Sequence, residues 1–294
     1  MNYRHHFHAG NFADVMKHAL LTRLVRALQK KEKGFLYLDT HAGRGGYDLT
    51  LAATGDTLER KPEWPEGIGR IGGGPDAAVK TAAPAELADY LTLVRELNRA
   101  RGVPEGGLRF YPGSPLVVAA LARPQDRLAL CEKQPAECAA LREELQFTPG
   151  AQVREMDGYV AVRAMLPPPE RRALVLIDPP FEVQDEFAQI AAALAEGLRR
   201  LPGGVFAVWY PLTERARVDA FFAALQALKP PPTLALELAV AGPFAPMKLK
   251  GCGLVVVNPP WQFDREARPM LEWLAQELAQ APGGGARLDW IVPE

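Results

Sequence analysis

The stretch Ala173-Leu174-Val175-Leu176-Ile177-Asp178-Pro179-Pro180-Phe181 marks a buried strand and the turn that ends it. Its first five residues are all apolar, and a short apolar run is typical of a strand covered on both faces, as in a parallel sheet. The two prolines then end the strand, because proline has no backbone N–H to donate to a neighbouring strand. Asp178 is therefore expected at the carboxyl end of a buried strand, which is where open α/β sheets bind ligands.

This turn carries the groups that the exocyclic amine of a nucleobase needs before it can be methylated. The lone pair of the amine is delocalised into the ring, so the nitrogen attacks poorly until acceptors hold its hydrogens. Asp178 can supply one acceptor and the carbonyl of Pro179 a second, while the ring of Phe181 offers a flipped base a stacking surface. The motif predicts amino-methylation of a base. The alternative is local, since Pro-Pro ends strands and an aspartate there is often only a turn former.

Composition limits the partners of the chain. It has 294 residues, of which 48% are hydrophobic, and a net charge of −1. These values indicate a globular protein with one large core or a core and a smaller subdomain. No global basic field would hold polynucleotides, so contact with nucleic acid requires a local patch. Candidate patches are Lys17 with Arg23 and Arg26 on one helix, Arg171 with Arg172, and Lys248 with Lys250.

Cysteine usage and hydropathy predict the compartment. The three cysteines, Cys131, Cys138 and Cys252, lack the paired spacing of a metal site and are too few for a disulfide framework, which suits a reducing compartment. The first residues contain no apolar signal core, and no apolar run reaches the length of a membrane span. We therefore predict a cytoplasmic protein with no membrane partner.

Strand-like and helix-like stretches alternate along the chain, which is the pattern of a parallel sheet covered by helices on both faces. Asn11 is placed to cap a helix that runs to about Lys30, with Asp14 in its first turn. Seven strands are predicted, at Phe35–Leu38, Arg127–Glu132, Gln152–Glu155, Ala173–Ile177, Gly204–Trp209, Leu234–Val240 and Gly253–Val257.

The direction of the last strand follows from its connection. Ala241–Cys252 joins the sixth and seventh strands and has room for a hairpin but not for a crossover helix. Six strands are therefore expected to be parallel and the seventh antiparallel. This arrangement resembles the class I S-adenosylmethionine-dependent methyltransferases, which implies an α/β fold with a seven-stranded, doubly wound, Rossmann-like sheet.

A second turn of the same type, Asn258-Pro259-Pro260-Trp261, follows the apolar run Val255-Val256-Val257. If the seventh strand is antiparallel, its carboxyl end opens on the edge opposite the cofactor. Asn258 should then lie far from the reacting methyl group, and the turn should only terminate a strand.

One interval is too long for a single helix. About eighty residues separate Gly43 from the strand near Arg127, where a helical crossover would need roughly twenty. The interval contains a helical run at Ala85–Arg99 and Pro/Gly-rich joints. We predict a methyltransferase domain formed by residues 1–48 and 112–294, with a helical subdomain inserted at 49–111 over the active-site face. The insertion contacts substrate or is a structural addition without that role.

Four strand ends in order predict the cofactor. Asp39-Thr40-His41-Ala42-Gly43-Arg44-Gly45 resembles the D-x-x-x-G-x-G loop of methyltransferases, in which glycines let the backbone approach the amino-acid end of S-adenosylmethionine. Glu132 closes the second strand, where an acid suits ribose hydroxyls. Asp157-Gly158 closes the third strand and can hold the adenine edge, and Asp178 closes the fourth.

Longer segments narrow the resemblance to the ribosomal RNA large subunit methyltransferase J family. They are YRHHFHAGNFADVMKH at residues 3–18, LYLDTHAG at 36–43, YPGSP at 111–115 and WIVPE at 290–294. The resemblance implies N6-methylation of one adenine in 23S ribosomal RNA, with S-adenosylmethionine as cofactor. We expect a monomer.

The resemblance also implies roles for individual residues. The matching cofactor contacts are His18, His41, Ser114, Glu132, Asp157, Gly158 and Asp178. Asp178 would be the catalytic acceptor and Tyr3 would lie toward the substrate, and we assign His5, Lys17 and Phe181 to the substrate side as well. The family more often has tyrosine at the position of Phe181, a change that keeps stacking but removes any role for the hydroxyl.

The histidines allow another interpretation. His5, His6, His8, His18 and His41 are all the histidines of the chain, and a zinc site is conceivable from neutral imidazoles at this density. No cysteine or paired carboxylate stands at ligand spacing nearby. We therefore predict no metal and expect the amino-terminal segment to pack over the cofactor.

Other functions stay open at this point. Methylation of DNA adenine or of a protein glutamine uses the same acceptor-Pro-Pro-aromatic turn. Asp178 favours adenine over glutamine modestly, and the lack of a recognisable DNA-recognition domain disfavours DNA. A module that binds the cofactor and docks on the ribosome without turnover is the alternative outside enzymes, although a complete acceptor motif disfavours it.

Overall fold

The computed structural model describes residues 5–54, 61–73 and 81–294, and for residues 5, 6 and 52–54 it describes the backbone alone. Within these residues the strands are β1 (Leu36–Asp39), β2 (Gly46–Asp48), β3 (Phe110–Pro112), β4 (Arg127–Glu132), β5 (Ala151–Glu155), β6 (Ala173–Ile177), β7 (Val205–Pro211), β8 (Thr233–Ala239), β9 (Gly251–Val257) and β10 (Gly285–Val292).

The helices of the same residues are α1 (His5–His8), α2 (Phe12–Gln29), α3 (Ile68–Ile71), α4 (Ala88–Ala100), α5 (Ser114–Leu121), α6 (Pro135–Glu144), α7 (Gly158–Met165), α8 (Glu186–Arg200), α9 (Arg215–Ala227) and α10 (Phe263–Glu277). Short 3₁₀ turns occur at Leu49–Thr54, Trp64–Glu66 and Ala85–Leu87. None of the helices in the described part of the chain combines the length and the apolar composition that crossing a membrane requires.

Eight strands form one sheet in the order β10-β8-β9-β7-β6-β1-β4-β5. Strands β5, β4, β1, β6 and β7 pair in parallel. Strand β9 is antiparallel to both β7 and β8, so β8 runs in the same direction as β7. The strand order reverses at β1, with β4 on one side and β6 on the other. The predicted fold class is confirmed, and the seventh predicted strand, β9, is antiparallel as expected.

The prediction of seven strands was one short. Strand β10 pairs antiparallel with β8 and forms the outer edge of the sheet. Its residues are exposed or half-buried, so the sequence lacks the apolar run that revealed the inner strands. Strands β2 and β3 were also missed. They form a separate two-stranded sheet of three residues each, which is too short to give a periodic pattern.

Helix α2 is the central helix of one face, and it confirms the helix predicted from Asn11 to about Lys30. The Asn11 side chain accepts hydrogen bonds from the backbone N–H of Ala13 and Asp14 at 3.0 and 2.9 Å, which satisfies two donors of the first turn. The helix is buried along most of its length, including the polar residues Lys17 and His18. Burial of such groups is costly unless they are paired, so their partners are part of the site.

Alternate side chains of the sheet enter two apolar layers, as in a sheet covered on both faces. Leu174 and Leu176 pack in the layer that contains α2, α5 and α10. Val175 and Ile177 pack in the layer that contains α7, α8 and α9. Replacing a buried leucine of these layers by alanine is expected to cost about 2–5 kcal/mol of stability.

The described part of the segment 49–111 packs on α2 and α10. Arg26 Nε donates to Asp89 of α4 at 3.0 Å, and Trp273 Nε1 donates to the Thr81 carbonyl at 3.2 Å. Tyr90 of α4 lies in the same apolar layer as α2. The division of the chain at residues 49 and 111 stays a prediction.

Candidate functional site

The carboxyl ends of four adjacent parallel strands bring the predicted cofactor residues together. In the sheet order β6-β1-β4-β5, Asp178 follows β6, Asp39 and Glu132 end β1 and β4, and Asp157 comes two residues after β5. We call this side of the sheet the carboxyl edge. It includes the point where the strand order reverses, which is the usual ligand site of an open α/β sheet.

The glycine-rich loop after β1 is tied to two neighbours. Gly43 and Gly45 have φ values of +61° and +87°, a region that residues with a side chain seldom adopt. The Gly43 N–H donates to Glu132 Oε2 at 2.9 Å, and the Gly45 carbonyl accepts from the Gly113 N–H at 2.7 Å. Gln134 N–H donates to the second oxygen, Oε1, of Glu132 at 2.7 Å. These bonds hold the loop between β4 and the start of α5.

Gly158 is required by close approach to the loop after β1. A Cβ atom at this position would lie 2.0 Å from the Thr40 carbonyl oxygen, far inside van der Waals contact. The preceding Asp157 caps α7, accepting from the Tyr159 N–H at 3.0 Å, and its other oxygen accepts from Lys133 Nζ at 3.1 Å. Burial opposes the charge of Asp157, but Lys133 and the helix N–H groups hold its pKa below the usual value.

Ser114 is positioned by a buried carboxylate. Its hydroxyl donates to Asp39 Oδ2 at 2.6 Å, and the Tyr37 hydroxyl donates to the same oxygen at 2.7 Å. Burial raises the pKa of Asp39 to about 6, even though both hydroxyls favour the ionised form. The role of Asp39 as an acceptor shared by two hydroxyls was not predicted from its place at the start of the loop. Tyr37, two residues earlier on the same face of the strand, was the available signal.

His18 and His41 flank the same edge as neutral imidazoles. His18 Nδ1 lies 2.8 Å from the Tyr111 hydroxyl, which is 3.1 Å from the hydroxyl of Tyr90 on α4. Burial lowers the pKa of His18 to about 3 and that of His41 to about 4. His41 Nδ1 is 2.8 Å from the Thr40 hydroxyl. Hydrogen bonding to the tyrosine pair was not predicted, because it joins three segments that are distant in the sequence.

Asp178 is paired with Lys17 across the site. Lys17 Nζ is 2.5 Å from Asp178 Oδ2 and 2.9 Å from Asp14 Oδ1. The side chains of Lys17 and Asp178 are only 10% and 15% exposed. Burial opposes the charge on Lys17, but the two carboxylates raise its pKa well above the usual value, so it stays protonated. Burial raises the pKa of Asp178, and Lys17 acts in the opposite direction.

Phe181 occupies a strained position beside Asp178. Its φ of +51° lies in the left-handed region, which is unfavourable for a bulky side chain and persists only where the surroundings enforce it. The half-buried ring packs edge-on against Phe187 and Trp209, with centroids 5.1 and 5.7 Å away. The four residues Asp178–Phe181 therefore form a fixed turn with an aromatic wall.

Asn258 lies at the opposite edge of the sheet, as the antiparallel direction of β9 predicts. Its Nδ2 donates to the carbonyls of Pro202 and Gly204 at 2.8 Å each, immediately before β7 begins. The second acceptor-Pro-Pro-aromatic turn thus holds strand ends together and does not face the site.

The three basic patches predicted from the sequence differ in their ion pairing and in their position on the sheet. On α2, Arg23 pairs with Glu266 at 2.6 Å and Arg26 with Asp89 at 3.0 Å, so with Lys17 this group is neutralised by acids. Arg172, directly before β6, donates to the Leu28 carbonyl at the opposite edge. Lys248 and Lys250 lie in the connection from β8 to β9, at the carboxyl edge.

Some predicted site residues stay untested by the geometry. Tyr3 lies outside the described residues, and for His5 only the backbone, in α1, is described.

All three cysteines are buried and free. Within residues 5–54, 61–73 and 81–294, no group of three or more His, Cys, Asp or Glu residues could hold a metal. A site without metal remains a prediction.

Proteins similar to this chain belong to the class of enzyme that the site indicates. Residues 32–292 match the family model described as ribosomal RNA large subunit methyltransferase D, RlmJ. The chain is 40% identical over its full length to ribosomal RNA large subunit methyltransferase J of Escherichia coli K12, and 38% identical to the protein of the same name in Haemophilus influenzae, each match covering 100% of both proteins.

A solved structure supports the same relationship. The crystal structure of protein LPL1258 from Legionella pneumophila is 34% identical, with a TM-score of 0.83, and the match covers 96% of this chain and 97% of that one. Sequence and fold thus agree over nearly the whole length. The chain belongs to the ribosomal RNA large subunit methyltransferase family RlmJ, as its sequence motifs predicted.

Proposed function

We propose that this protein transfers a methyl group from S-adenosylmethionine to the N6 amine of one adenine in 23S ribosomal RNA. The observation that carries the proposal is the position of Asp178, at the carboxyl end of β6 beside the glycine-rich loop, with Phe181 forming a wall three residues later. The names of the relatives give the RNA: both are ribosomal RNA large subunit methyltransferases. Methyl transfer with this cofactor is the reaction class of the family.

The donor set of the carboxyl edge fits the cofactor. Glu132 uses each oxygen for one backbone N–H, and because a carboxylate oxygen can accept two hydrogen bonds, both oxygens can still accept a ribose hydroxyl. Asp157 is placed for the adenine edge, and His18, His41 and Ser114 line the rest of the site. The close approach of Gly158 to Thr40 leaves a backbone surface without a side chain. When bound here, S-adenosylmethionine supplies an electrophilic methyl group.

The residues of the turn prepare the amine. Asp178 accepts one hydrogen of the N6 amine and the Pro179 carbonyl accepts the other, which lets the nitrogen become more tetrahedral and expose its lone pair. Positive charge develops on the nitrogen as it forms its new bond, and the carboxylate of Asp178 stabilises that charge. The raised pKa of Asp178 then favours taking the proton that the nitrogen loses.

Lys17 positions the carboxylate of Asp178, and Phe181 positions the adenine. Lys17 occupies Oδ2 of Asp178, which fixes the carboxylate plane and leaves Oδ1 for the amine. Phe181 gives a base that has left its stack a face to rest on, and stacking returns about 1–3 kcal/mol per base. We propose that Tyr3 and His5 lie on the same substrate side.

The compartment, the oligomeric state and the domain division of the enzyme are part of the same proposal. We place it in the cytoplasm, where ribosomal RNA is made in bacteria, as a monomer that needs no metal. We also propose that residues 49–111 form the inserted subdomain of a methyltransferase domain built from residues 1–48 and 112–294. The described contacts of this segment with α2 support a role in holding His18 through Tyr90 and Tyr111.

One experiment tests the proposal against its rivals. The protein is incubated with radiolabelled S-adenosylmethionine and separate pools of 23S ribosomal RNA, adenine-containing DNA and ribosomal protein. Label is expected in RNA alone, and digestion to nucleosides should place it in N6-methyladenosine. Label in DNA or protein in place of RNA would overturn the RNA assignment, and cofactor binding without transfer to any pool would favour a docking module.

A further inference from the structure

A second surface at the carboxyl edge combines an exposed ring with positive charge. Residues 240–250 connect β8 to β9, and we call them the β8–β9 loop. The loop contains Phe244, Lys248 and Lys250 and no acidic residue. Phe244 is 98% exposed. We propose that this loop binds the RNA strand next to the target adenine, with Phe244 stacked on an unpaired base and the lysines on phosphates; this inference rests on the proposed function.

The sheet register places the loop on the same side as Asp178. Strand β8 ends at Ala239 opposite Gly251, and β7 ends at Pro211 opposite Cys252. Both strands run parallel to β6, so the loop leaves the sheet at the edge where Asp178 lies. Only β7 stands between β6 and β9, and neighbouring strands are about 5 Å apart. Strand β9, on which the loop ends, is therefore about 10 Å from β6 across the sheet, and Gly251 lies four residues beyond the level of Ile177.

Packing also connects the loop to the catalytic turn. Cys252, at the loop's carboxyl end, has its Sγ 3.5 Å from Sδ of Met16, the neighbour of Lys17. Trp209 of β7, whose register partner on β9 is Leu254, packs on Phe181. The loop thus ends on a strand whose neighbour supplies part of the aromatic wall, so an RNA strand whose adenine enters the base pocket passes close to the loop.

Charge makes RNA the fitting partner. The whole protein carries a net charge of −1, so attraction to a polyanion must come from local groups. Two lysines in a loop without acids provide such a group. Arg217, whose guanidinium lies 5.9 Å from the Phe187 ring centroid, places a further cation beside the ring that packs on Phe181. An aromatic ring beside cations is the usual composition of sites for single-stranded nucleic acid, because every base has a face for stacking.

The chain supplies a matched control for the ring. Phe147 is 88% exposed but lies between α6 and the start of β5, at the opposite edge of the sheet. Its nearest charged neighbours in sequence, Glu143 and Glu144, are acidic. Exposure of a phenylalanine alone would make Phe147 and Phe244 equivalent, whereas the proposed site distinguishes them.

The test measures binding of a protein-free 23S ribosomal RNA transcript and single-turnover methylation. Phe244→Ala should weaken RNA binding by roughly five- to a hundredfold and leave affinity for S-adenosylmethionine and the melting temperature unchanged. Phe244→Trp should bind like the wild type, and Phe244→Leu should be weak, because an apolar side chain without a ring cannot stack. Phe147→Ala should bind like the wild type.

The lysines are tested through salt. Lys248→Ala and Lys250→Ala should each reduce the slope of log affinity against log salt concentration by about 0.7, the value for one phosphate contact on a single strand. Lys31→Ala, an exposed lysine at the opposite edge, should leave the slope unchanged.

The results distinguish a failure of the loop inference from a failure of the proposed function. If the wild type methylates RNA and Phe244→Ala binds RNA as Phe147→Ala does, the loop inference is wrong and the proposed function stands. If Phe244→Ala loses affinity for assembled ribosomal particles but not for free RNA, the partner of Phe244 is a protein and the inference is also wrong. If the wild type methylates no RNA, the proposed function fails and the inference with it.

Discussion

Lys17 Nζ lies 2.5 Å from Asp178 Oδ2, which joins the first long helix to the catalytic turn across 161 positions of sequence. The same ammonium group bonds Asp14 on its own helix. One buried cation therefore serves two half-buried carboxylates, and the geometry of the acceptor depends on a residue that does not itself need to touch the methyl group.

Asp178→Ala should greatly slow methyl transfer while the protein stays folded, because Lys17 keeps Asp14 as a partner. Loss of one preorganised acceptor typically lowers the rate by about 10²–10³. Single-turnover methylation and thermal unfolding measure the two effects. Asn258→Ala is the control at the opposite edge, and a comparable loss of activity there would mean that the wrong turn has been assigned.

Lys17→Met should destabilise the protein as well as slow it. Two half-buried carboxylates then lose their shared cation, and breaking a fully buried ion pair costs about 3–5 kcal/mol, which is the upper limit for this cluster. Adding Asp14→Asn removes one of those charges and should recover part of the stability. Chemical denaturation of Lys17→Met, Asp14→Asn and the double variant gives the cycle, and equal stability of Lys17→Met and wild type would contradict the description of this cluster.

Glu132→Ala should weaken binding of S-adenosylmethionine by a few kcal/mol at most, since a hydrogen bond to a charged group contributes about 1.5–3 kcal/mol. The change also removes the acceptor of the Gly43 N–H, so part of the loss reflects a loosened loop. Calorimetric titration with the cofactor is the measurement. Unchanged affinity would remove Glu132 from the site.

Phe181→Ala should lower kcat/KM for RNA by roughly ten- to a hundredfold, because about 1.4 kcal/mol of lost stacking is tenfold. Cofactor affinity should be nearly unchanged, and Phe181→Tyr should recover most of the rate. Steady-state kinetics on an RNA fragment, beside cofactor titrations, decide the point. A parallel loss of cofactor binding would make the ring a wall of the cofactor site and exclude the stacking model.

His18 should make stability fall in acid. Its pKa is about 3 in the folded protein against 6.5 for an ordinary histidine, so between these values only the unfolded chain binds the proton. The stability that His18 contributes is present above pH 6.5 and is lost as the pH falls toward 3, at up to about 1.4 kcal/mol per pH unit.

Comparison with His18→Gln isolates this contribution. His41 acts in the same direction, and Asp39, with its pKa raised to about 6, acts in the opposite direction, but both are present in the two proteins. Unfolding free energies measured at pH 7.5 and 5.5 should differ less in the variant. An identical pH dependence would show that His18 titrates normally in the folded state.

The sequence could predict the strand ends because their signals are local. Strands β1, β4 and β6 are short, mainly apolar runs, and each ends at or directly before an acidic residue, as Ile177 is followed by Asp178. The short connection before β9 also predicted that this strand runs antiparallel. That direction placed Asp178 and Asn258 at opposite edges of the sheet. These features depend on neighbouring residues alone.

The rest of the site depends on contacts between distant segments. A lysine three residues after an aspartate on a helix usually indicates a solvated face, so the burial of Lys17 could not be recognised before Asp178 was placed opposite it. The Tyr90–Tyr111–His18 series likewise requires the docking of α4 on α2. Strand β10 was missed because an edge strand buries little and needs no apolar run.

That edge strand has a consequence for how copies of the protein meet. An open sheet edge is a template for pairing with another chain, and continued pairing of this kind leads to aggregation. Strand β10 places the exposed charges of Arg287 and Asp289, which are ion-paired with each other, on the outermost strand. A second molecule adding a strand there would have to accommodate these charges, so β10 protects the sheet against edge-to-edge polymerisation.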